Sequence, residues 1–219
     1  MKRIPVFLAM QVNGYVMKVL LTLYFPRLIL LLAISILLSA CATVSKSPSP
    51  TSQIIKKSVS ISEKDSLDYV QAVADLEKGN AKVAAISLGK IAEKNPGYLD
   101  VWVNLAIANY TVKNIADAQR AIEYADKLQP ASADINNIKG LICVESGQYK
   151  NAEKNYLNAL KLDAKNPNIH YNMALLYDLY YQNIAKAIPY YESYLLLAGQ
   201  KDEETEAWVQ ELKQTLKRE

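Results

Sequence analysis

The chain has 219 residues, 51% of them hydrophobic, with seven glycines, eight prolines, two cysteines and a formal net charge of +3. This length and composition fit one mostly helical domain with additional segments. The positive charge belongs to the first 40 residues, which hold four basic and no acidic side chains; the remainder holds 21 basic and 22 acidic ones. The net charge therefore gives no support for nucleic-acid binding by the folded domain.

Residues 1–40 are predicted to be a signal peptide. The run 28–40, LILLLAISILLSA, is apolar, follows Arg27 and ends in small residues, which is typical of a secretory signal. It is short for a membrane span. Met17 offers a second start site for a leader of ordinary length. The alternative is an uncleaved signal anchor, in which residues 20–40 cross the inner membrane.

The end of this segment, Leu38-Ser39-Ala40-Cys41, resembles the lipobox of bacterial lipoproteins. The resemblance implies that Cys41 becomes the lipidated first residue after cleavage, and that the chain is labelled by palmitate. Ala42 replaces the Asp that would resemble an inner-membrane retention signal, which favours the outer membrane, facing the periplasm. Residues 41–62 are rich in Ser, Pro and Lys, so the lipidated cysteine is predicted to begin a flexible linker.

Residues 63–199 are predicted to form eight helices in four pairs. Ser62, followed three residues later by Asp65, predicts a capped start for the first helix, which ends before Gly79-Asn80. The following helices are predicted at about 82–94, 99–112, 115–128, 133–146, 149–162, 167–181 and 184–197.

Residues 200–219 are predicted to form one more helix. Trp208, Leu212 and Leu216 recur at four-residue steps, acidic residues precede them and basic residues follow. We interpret this helix as a cap on the open face of the fourth pair. The alternative is a helix that binds a partner.

Small residues and prolines return at a 34-residue interval through the four pairs. The residues in register are Ala72, Ala106, Gly140 and Ala174; Ala84, Ala118 and Ala152; and Pro96 and Pro130. This period and punctuation resemble the tetratricopeptide repeat, a helix-turn-helix unit. The resemblance implies an all-α, right-handed α-solenoid of about four repeats plus a C-terminal capping helix. The fourth unit needs one extra residue near Tyr181 or Gln182, so its turn is predicted to be atypical.

The repeat family usually holds a peptide or partner helix in a groove lined by the first helix of each unit. Carried over to this sequence, the groove residues are Val103, Ile107, Tyr110, Asn137, Leu141, Val144, Tyr171, Leu175 and Asp178. A mixed apolar and amide lining suits a peptide. The basic residues with which some members clamp a terminal carboxylate are missing here. The alternative is that the terminal helix covers this strip or that it is ordinary apolar surface.

The sequence predicts no enzyme, cofactor, metal site or small-molecule substrate. The single histidine, His170, stands where the repeat usually has Trp, which favours a packing role. Cys143 is interpreted as a small core residue, because it stands where Tyr177 stands in the next unit. No clustered His and Cys, HExxH motif or glycine-rich loop is present.

The whole layout predicts a lipid-anchored, non-enzymatic scaffold that binds proteins of the bacterial cell envelope. It resembles small tetratricopeptide lipoproteins that help to assemble type IV pilus secretins or recruit peptidoglycan enzymes. The alternative is an inner-membrane, signal-anchored repeat protein that recruits secretion or cell-division components.

Overall fold

A computed structural model of the protein describes residues 61–218. The predicted signal peptide, Cys41 and most of the predicted linker lie outside the described residues. Within them the chain forms helices and no strand. The helices are α1 (Glu63–Glu77), α2 (Ala81–Lys94), α3 (Leu99–Thr111), α4 (Ile115–Leu128), α5 (Ala133–Glu145), α6 (Tyr149–Leu162), α7 (Pro167–Leu175, continued by a π-helix, Leu176–Tyr180), α8 (Ile184–Leu197) and α9 (Glu203–Leu216). The predicted all-α repeat fold is confirmed.

Each helical pair is joined by a three-residue turn with one residue in the left-handed region. These residues are Gly79, Lys113, Gly147 and Gln182, with φ of 84°, 62°, 70° and 51°. A left-handed residue after a helix lets the chain reverse direction while the last backbone groups remain hydrogen-bonded. The repeated conformation therefore gives the four hairpins the same local geometry.

The predicted cap of the first helix is confirmed. Ser62 has an extended backbone, and its Oγ accepts a hydrogen bond of 3.0 Å from the Asp65 N–H. The side-chain contacts with Ser62 and with the Asn95 amide lower the pKa of the Asp65 carboxyl. These contacts tie the start of α1 to the end of α2.

The small residues in register lie where helices cross. Each second helix has one fully buried alanine at the equivalent position: Ala84, Ala118, Ala152 and Ala187. Gly140 of α5 faces the ring of Tyr156 on α6. Small side chains at a crossing let two helix axes approach closely, so that larger neighbours fill the remaining space. The fixed interval therefore produces a stack of hairpins whose core runs from Tyr69 to Leu212.

The fourth pair accommodates its extra residue differently from the prediction. The turn keeps one feature of the other turns, because Gln182 takes the same left-handed conformation. The extra residue is instead absorbed by the π-helix at the end of α7. Consequently Asn183 N–H donates to the Tyr177 carbonyl six residues back, whereas Gln148 N–H donates to Cys143, five residues back. A π-turn holds one more residue than an α-turn, so the extra residue lies at the end of α7, just before the predicted position, and it makes the hydrogen bond that closes this turn one residue longer than in the other pairs.

The last helix, α9, packs on α8 and on the end of α7. Val209 and Leu212 are buried, and Trp208 Nε1 donates a hydrogen bond of 2.8 Å to Asp178 of the π-helix. The helix thus covers the apolar face that the fourth pair leaves open. None of the helices in residues 61–218 has the length and apolar character needed to cross a bilayer.

Candidate protein-interaction surfaces

The nine predicted groove residues, hereafter the inner strip, lie on α3, α5 and α7 or its π-helix. Five of them are buried: Val103, Ile107, Tyr110, Asn137 and Tyr171. Leu141, Val144, Leu175 and Asp178 are partly exposed. In this structure a partner reaches only these four, all on the second half of the stack. Their binding role stays a prediction.

Contacts between successive first helices explain this burial. Tyr69 OH accepts from Asn104 at 2.9 Å, Tyr110 OH donates to Glu145 at 3.5 Å, and Asn172 donates to Asn137 at 2.7 Å. The two residues of each pair are 35 positions apart, which is one more than the 34-residue period. Each side chain therefore contacts the residue that directly follows its own equivalent in the next repeat. Sequence spacing identifies the inner face but does not show how closely neighbouring helices approach.

Asp178 of the inner strip is engaged by the end of the stack. Its Oδ2 accepts hydrogen bonds from Trp208 Nε1 at 2.8 Å and from Tyr191 OH at 3.0 Å. Burial, together with this carboxylate, raises the pKa of Tyr191. Asp178 therefore joins α7, α8 and α9, and a partner would compete with these contacts for it.

His170 makes the same kind of backbone contact as Trp102, two repeats earlier. Trp102 Nε1 donates to the Pro96 carbonyl at 2.9 Å, and His170 Nε2 lies 2.9 Å from the Ala164 carbonyl, also six residues back. A carbonyl only accepts, so this contact places the proton on Nε2. The other ring nitrogen, Nδ1, is buried without a hydrogen-bond partner. This environment is that of a packing residue.

Cys143 is partly buried and is more exposed than a core residue. The Asn155 amide donates to its Sγ at 3.5 Å, and burial raises the pKa of its thiol. A raised thiol pKa lowers the fraction of reactive thiolate. Among residues 61–218 there is also no cluster of three or more metal-ligating side chains.

A surface that sequence reasoning missed lies on the opposite side of the stack, between α2 and α4. This outer groove has a volume of about 800 Å³ and is floored by α3. Its main apolar lining residues are Ile86, Gly89, Trp102, Leu105, Ala121 and Tyr124. Trp102 stacks on Tyr124 at 4.4 Å, and Ile86 and Tyr124 are 55% and 49% exposed. Comparing the outward-facing positions of the four second helices would have revealed this groove, because the residues at these positions are small in α2 and α4.

The equivalent place between α6 and α8 is filled by tyrosines. Tyr177 stacks on Tyr190 with 5.7 Å between ring centres, and the Tyr177 and Tyr181 hydroxyls both donate to the carboxylate of Glu153. Burial and the Glu153 carboxylate raise the pKa of Tyr177. The tyrosines between 171 and 194 therefore mainly join helices to each other.

Residues 140–179 match the family model described as TPR repeat. No curated protein matches the sequence. The solved structure of TTC0263, a thermophilic TPR protein of Thermus thermophilus, is similar at a TM-score of 0.61 and 21% identity, covering 68% of this chain and 81% of that one. Pseudomonas aeruginosa pilF is similar at 0.62 and 22%, covering 71% and 70%. The APC/C hetero-tetramer Cut9-Hcn1 gives 0.63 and 16%, covering 70% of this chain and 31% of that one. At these identities the likeness concerns the fold alone.

Proposed function

We propose that this chain, which has the tetratricopeptide-repeat fold, is a lipid-anchored scaffold that binds proteins of the bacterial cell envelope. The observation that carries the proposal is the stack of four helical hairpins, which leaves partly exposed apolar side chains on its surface. Such a stack presents a large, rigid surface at which binding costs little conformational entropy.

The partner surface that we propose consists of the accessible part of the inner strip: Leu141, Val144 and Leu175. These side chains lie on neighbouring first helices, α5 and α7, and are partly exposed. A short row of apolar side chains next to polar ones suits the apolar face of a partner peptide or helix. The buried side chains of Asn137 and Asn172 join these two helices, because Asn172 donates a hydrogen bond to Asn137.

The proposed anchor is Cys41, for which the sequence is the only support. A single acyl chain holds a protein weakly, because each buried CH₂ contributes about 0.8 kcal/mol, whereas two or more chains give stable anchoring. We further propose that the scaffold serves the assembly of a pilus, secretion or peptidoglycan-related complex. This part rests on the combination of a lipobox-like leader, a linker and a repeat domain.

Metabolic labelling with palmitate tests the anchor. The chain is expected to be labelled, the label to be lost in Cys41→Ala, and Cys143→Ala to be labelled as strongly as wild type. Cys143 is the natural control because it is the only other cysteine. An unlabelled wild-type chain that still fractionates with the membrane would reject the lipoprotein and favour the uncleaved inner-membrane anchor.

Crosslinking in intact cells tests the binding surface. We expect the double variant Leu141→Asp/Leu175→Asp to lose proteins that the wild-type chain captures. Leu196→Asp is the matched control, because Leu196 is 85% exposed on α8, away from the inner strip. Capture that is equal in all three chains would reject the inner strip as the binding surface.

A further inference from the structure

We infer that the outer groove between α2 and α4 is a second binding surface, and that its occupant is an amphipathic helix of a partner protein. The inference deepens the proposed scaffold function, but it concerns the face of the stack opposite the inner strip. It rests on three observations: why the groove is open, what lines it, and how charge is distributed along it.

The groove is open because three small side chains line it. These residues are Ala85 and Gly89 of α2 and Ala121 of α4. In the third groove, between α6 and α8, the equivalent positions hold larger residues: Glu153, Leu157 and Tyr190. A Cβ built on Gly89 would meet no atom within 4 Å.

The floor shows the same difference between the grooves. In the third groove Tyr177 stacks on Tyr190, and in the middle one, between α4 and α6, Cys143 contacts Asn155. In the first groove the equivalent residue, Asn109, donates instead to the Leu105 carbonyl of its own helix. At this position the first groove therefore lacks the side-chain contact to the second helix that the other two grooves have.

The lining favours a helix over an extended strand. Trp102, Leu105 and Val112 recur along one face of α3, so the floor extends over about ten residues, or about 15 Å at 1.5 Å per residue. The walls add Ile86 and Tyr124. Most polar side chains of the lining already have partners within the chain: Asn109 donates to the Leu105 carbonyl, and Asn114 and Arg120 both contact Asp117. Few of these side chains are therefore free to pair with an extended backbone. A helix satisfies its own backbone and offers only an apolar face, as in other helix-in-groove complexes.

The charges at the two ends of the groove determine which helix fits. Lys82 lies at one end, in the first turn of α2, and Glu93 lies at the other end, in the last turn. Arg120, in the middle of α4, is paired to Asp117. Within residues 61–218 no ion pair is formed by Lys82 or Glu93. A partner helix about three turns long, with an acidic residue at one end and a basic residue at the other, matches this distribution.

The test uses the purified full chain and a fluorescent synthetic helix about ten residues long. The peptide carries leucines on one face, glutamate at one end and lysine at the other. Its controls are a peptide with the same composition but scrambled leucines, and peptides with lysine at both ends or glutamate at both ends. Fluorescence anisotropy is expected to show tightest binding for the peptide with opposite charges. Equal binding of the scrambled peptide, or no binding, would overturn the inference.

Gly89→Leu separates binding from folding. The new side chain enters open space in the groove and replaces a helix-interior glycine, so the melting temperature is expected to stay the same or rise. Affinity for the peptide is expected to fall by about tenfold or more. Undiminished binding by this stable variant would place the peptide elsewhere and overturn the proposal.

Reversing the charge of Lys82 tests whether binding can be restored by a peptide with complementary charge. Lys82→Glu is expected to weaken binding of the peptide with opposite charges and to improve binding of the peptide with lysine at both ends. Lys150→Glu is the matched control, because Lys150 is exposed at the equivalent position of α6. Equal effects of the two reversals would show a non-specific charge effect and reject the groove.

Two other occupants are distinguished by a photocrosslinker placed at Ile86. Crosslinks to residues 53–57 of the same chain would show that the linker occupies the groove. Crosslinks to a second copy, with self-association that Gly89→Leu abolishes, would show an interface between copies. Either result overturns the partner-helix inference. Peptide binding is measured with purified components, so its failure leaves the inner-strip capture experiment unaffected.

Discussion

Asn172 of α7 donates a hydrogen bond of 2.7 Å to Asn137 of α5, and both side chains are buried. The Asn137 amide nitrogen has no partner of its own. The pair therefore depends on one bond that crosses from one repeat to the next. A bond of this kind specifies register, because a shift of either helix by one residue would leave both amides unsatisfied in the core.

Replacing one member of this pair is expected to destabilise the stack. In Asn172→Leu the Asn137 side chain keeps its burial but loses its donor, so the free energy of unfolding should fall by about 1 to 3 kcal/mol. Urea unfolding measures the change. Asn168→Leu, at a partly exposed position of α7, is the control and should change stability by about 0.5 kcal/mol or less.

The double variant Asn137→Leu/Asn172→Leu makes this prediction sharper. With both amides removed, no buried polar group is left unpaired at this site, so the double variant should be more stable than Asn172→Leu alone. A double variant at least as unstable as the single one would show that shape, and not the hydrogen bond, determines stability here.

The sequence predicted the hairpins because their determinants are local and repeated. Small residues such as Ala118 and Ala152 recur where two helices cross, and prolines such as Pro96 recur where a helix ends. The location of the extra residue in the fourth pair was not predictable in this way. One residue is accommodated equally well by a longer turn or by a π-helix, and only the packing of Tyr177 against Glu153 and Tyr190 distinguishes them.

The surfaces were harder to predict than the fold. The inner-strip residues lie on the first helices of the pairs. The burial of residues such as Ile107 and Tyr110 depends on the distance between neighbouring helices, which periodicity does not encode. The outer groove results from side chains that are missing, at Ala85, Gly89 and Ala121. A search for residues that carry chemistry overlooks such positions.

Two helical glycines are expected to respond oppositely to alanine. At Gly140 a Cβ would overlap the ring of Tyr156, which is buried against it, so Gly140→Ala should lower the free energy of unfolding by about 1 to 2 kcal/mol despite better helix propensity. At Gly89 the same change meets open space and should raise it by up to about 1 kcal/mol. Thermal unfolding of both variants provides the measurement. Stabilisation by both would show that Tyr156 moves freely away from Gly140.

The role of α9 as a cap predicts a large effect from a single leucine. Leu212 is buried against the second half of the core, so Leu212→Ala should cost about 2 to 5 kcal/mol in urea unfolding. Leu216, one turn later, is 40% exposed, and Leu216→Ala should cost much less. Equal, small effects would indicate that α9 detaches readily, and would favour the alternative of a partner-binding helix.

Alkaline pH is expected to destabilise the protein through its buried tyrosines. Burial raises the pKa of Tyr110, Tyr156 and Tyr191 above the ordinary value of 10.0, and the carboxylates of Glu145 and Asp178 add to the shift at the first and last of these. A phenol whose pKa is higher in the folded state binds its proton more tightly there. Its contribution to stability is therefore complete below about pH 10 and is lost as the pH rises above that value.

Thermal unfolding at pH about 8 and about 11 measures this loss, and phenolate absorbance is expected to rise together with unfolding. Tyr191→Phe removes one such group, so its stability should fall less steeply with pH, by up to about 1.4 kcal/mol per pH unit. Tyr124→Phe is the control, because Tyr124 is 49% exposed and lies on the outer groove. If both variants keep the wild-type slope, or if phenolate forms before the helices unfold, then ionisation of buried tyrosines does not limit stability at high pH.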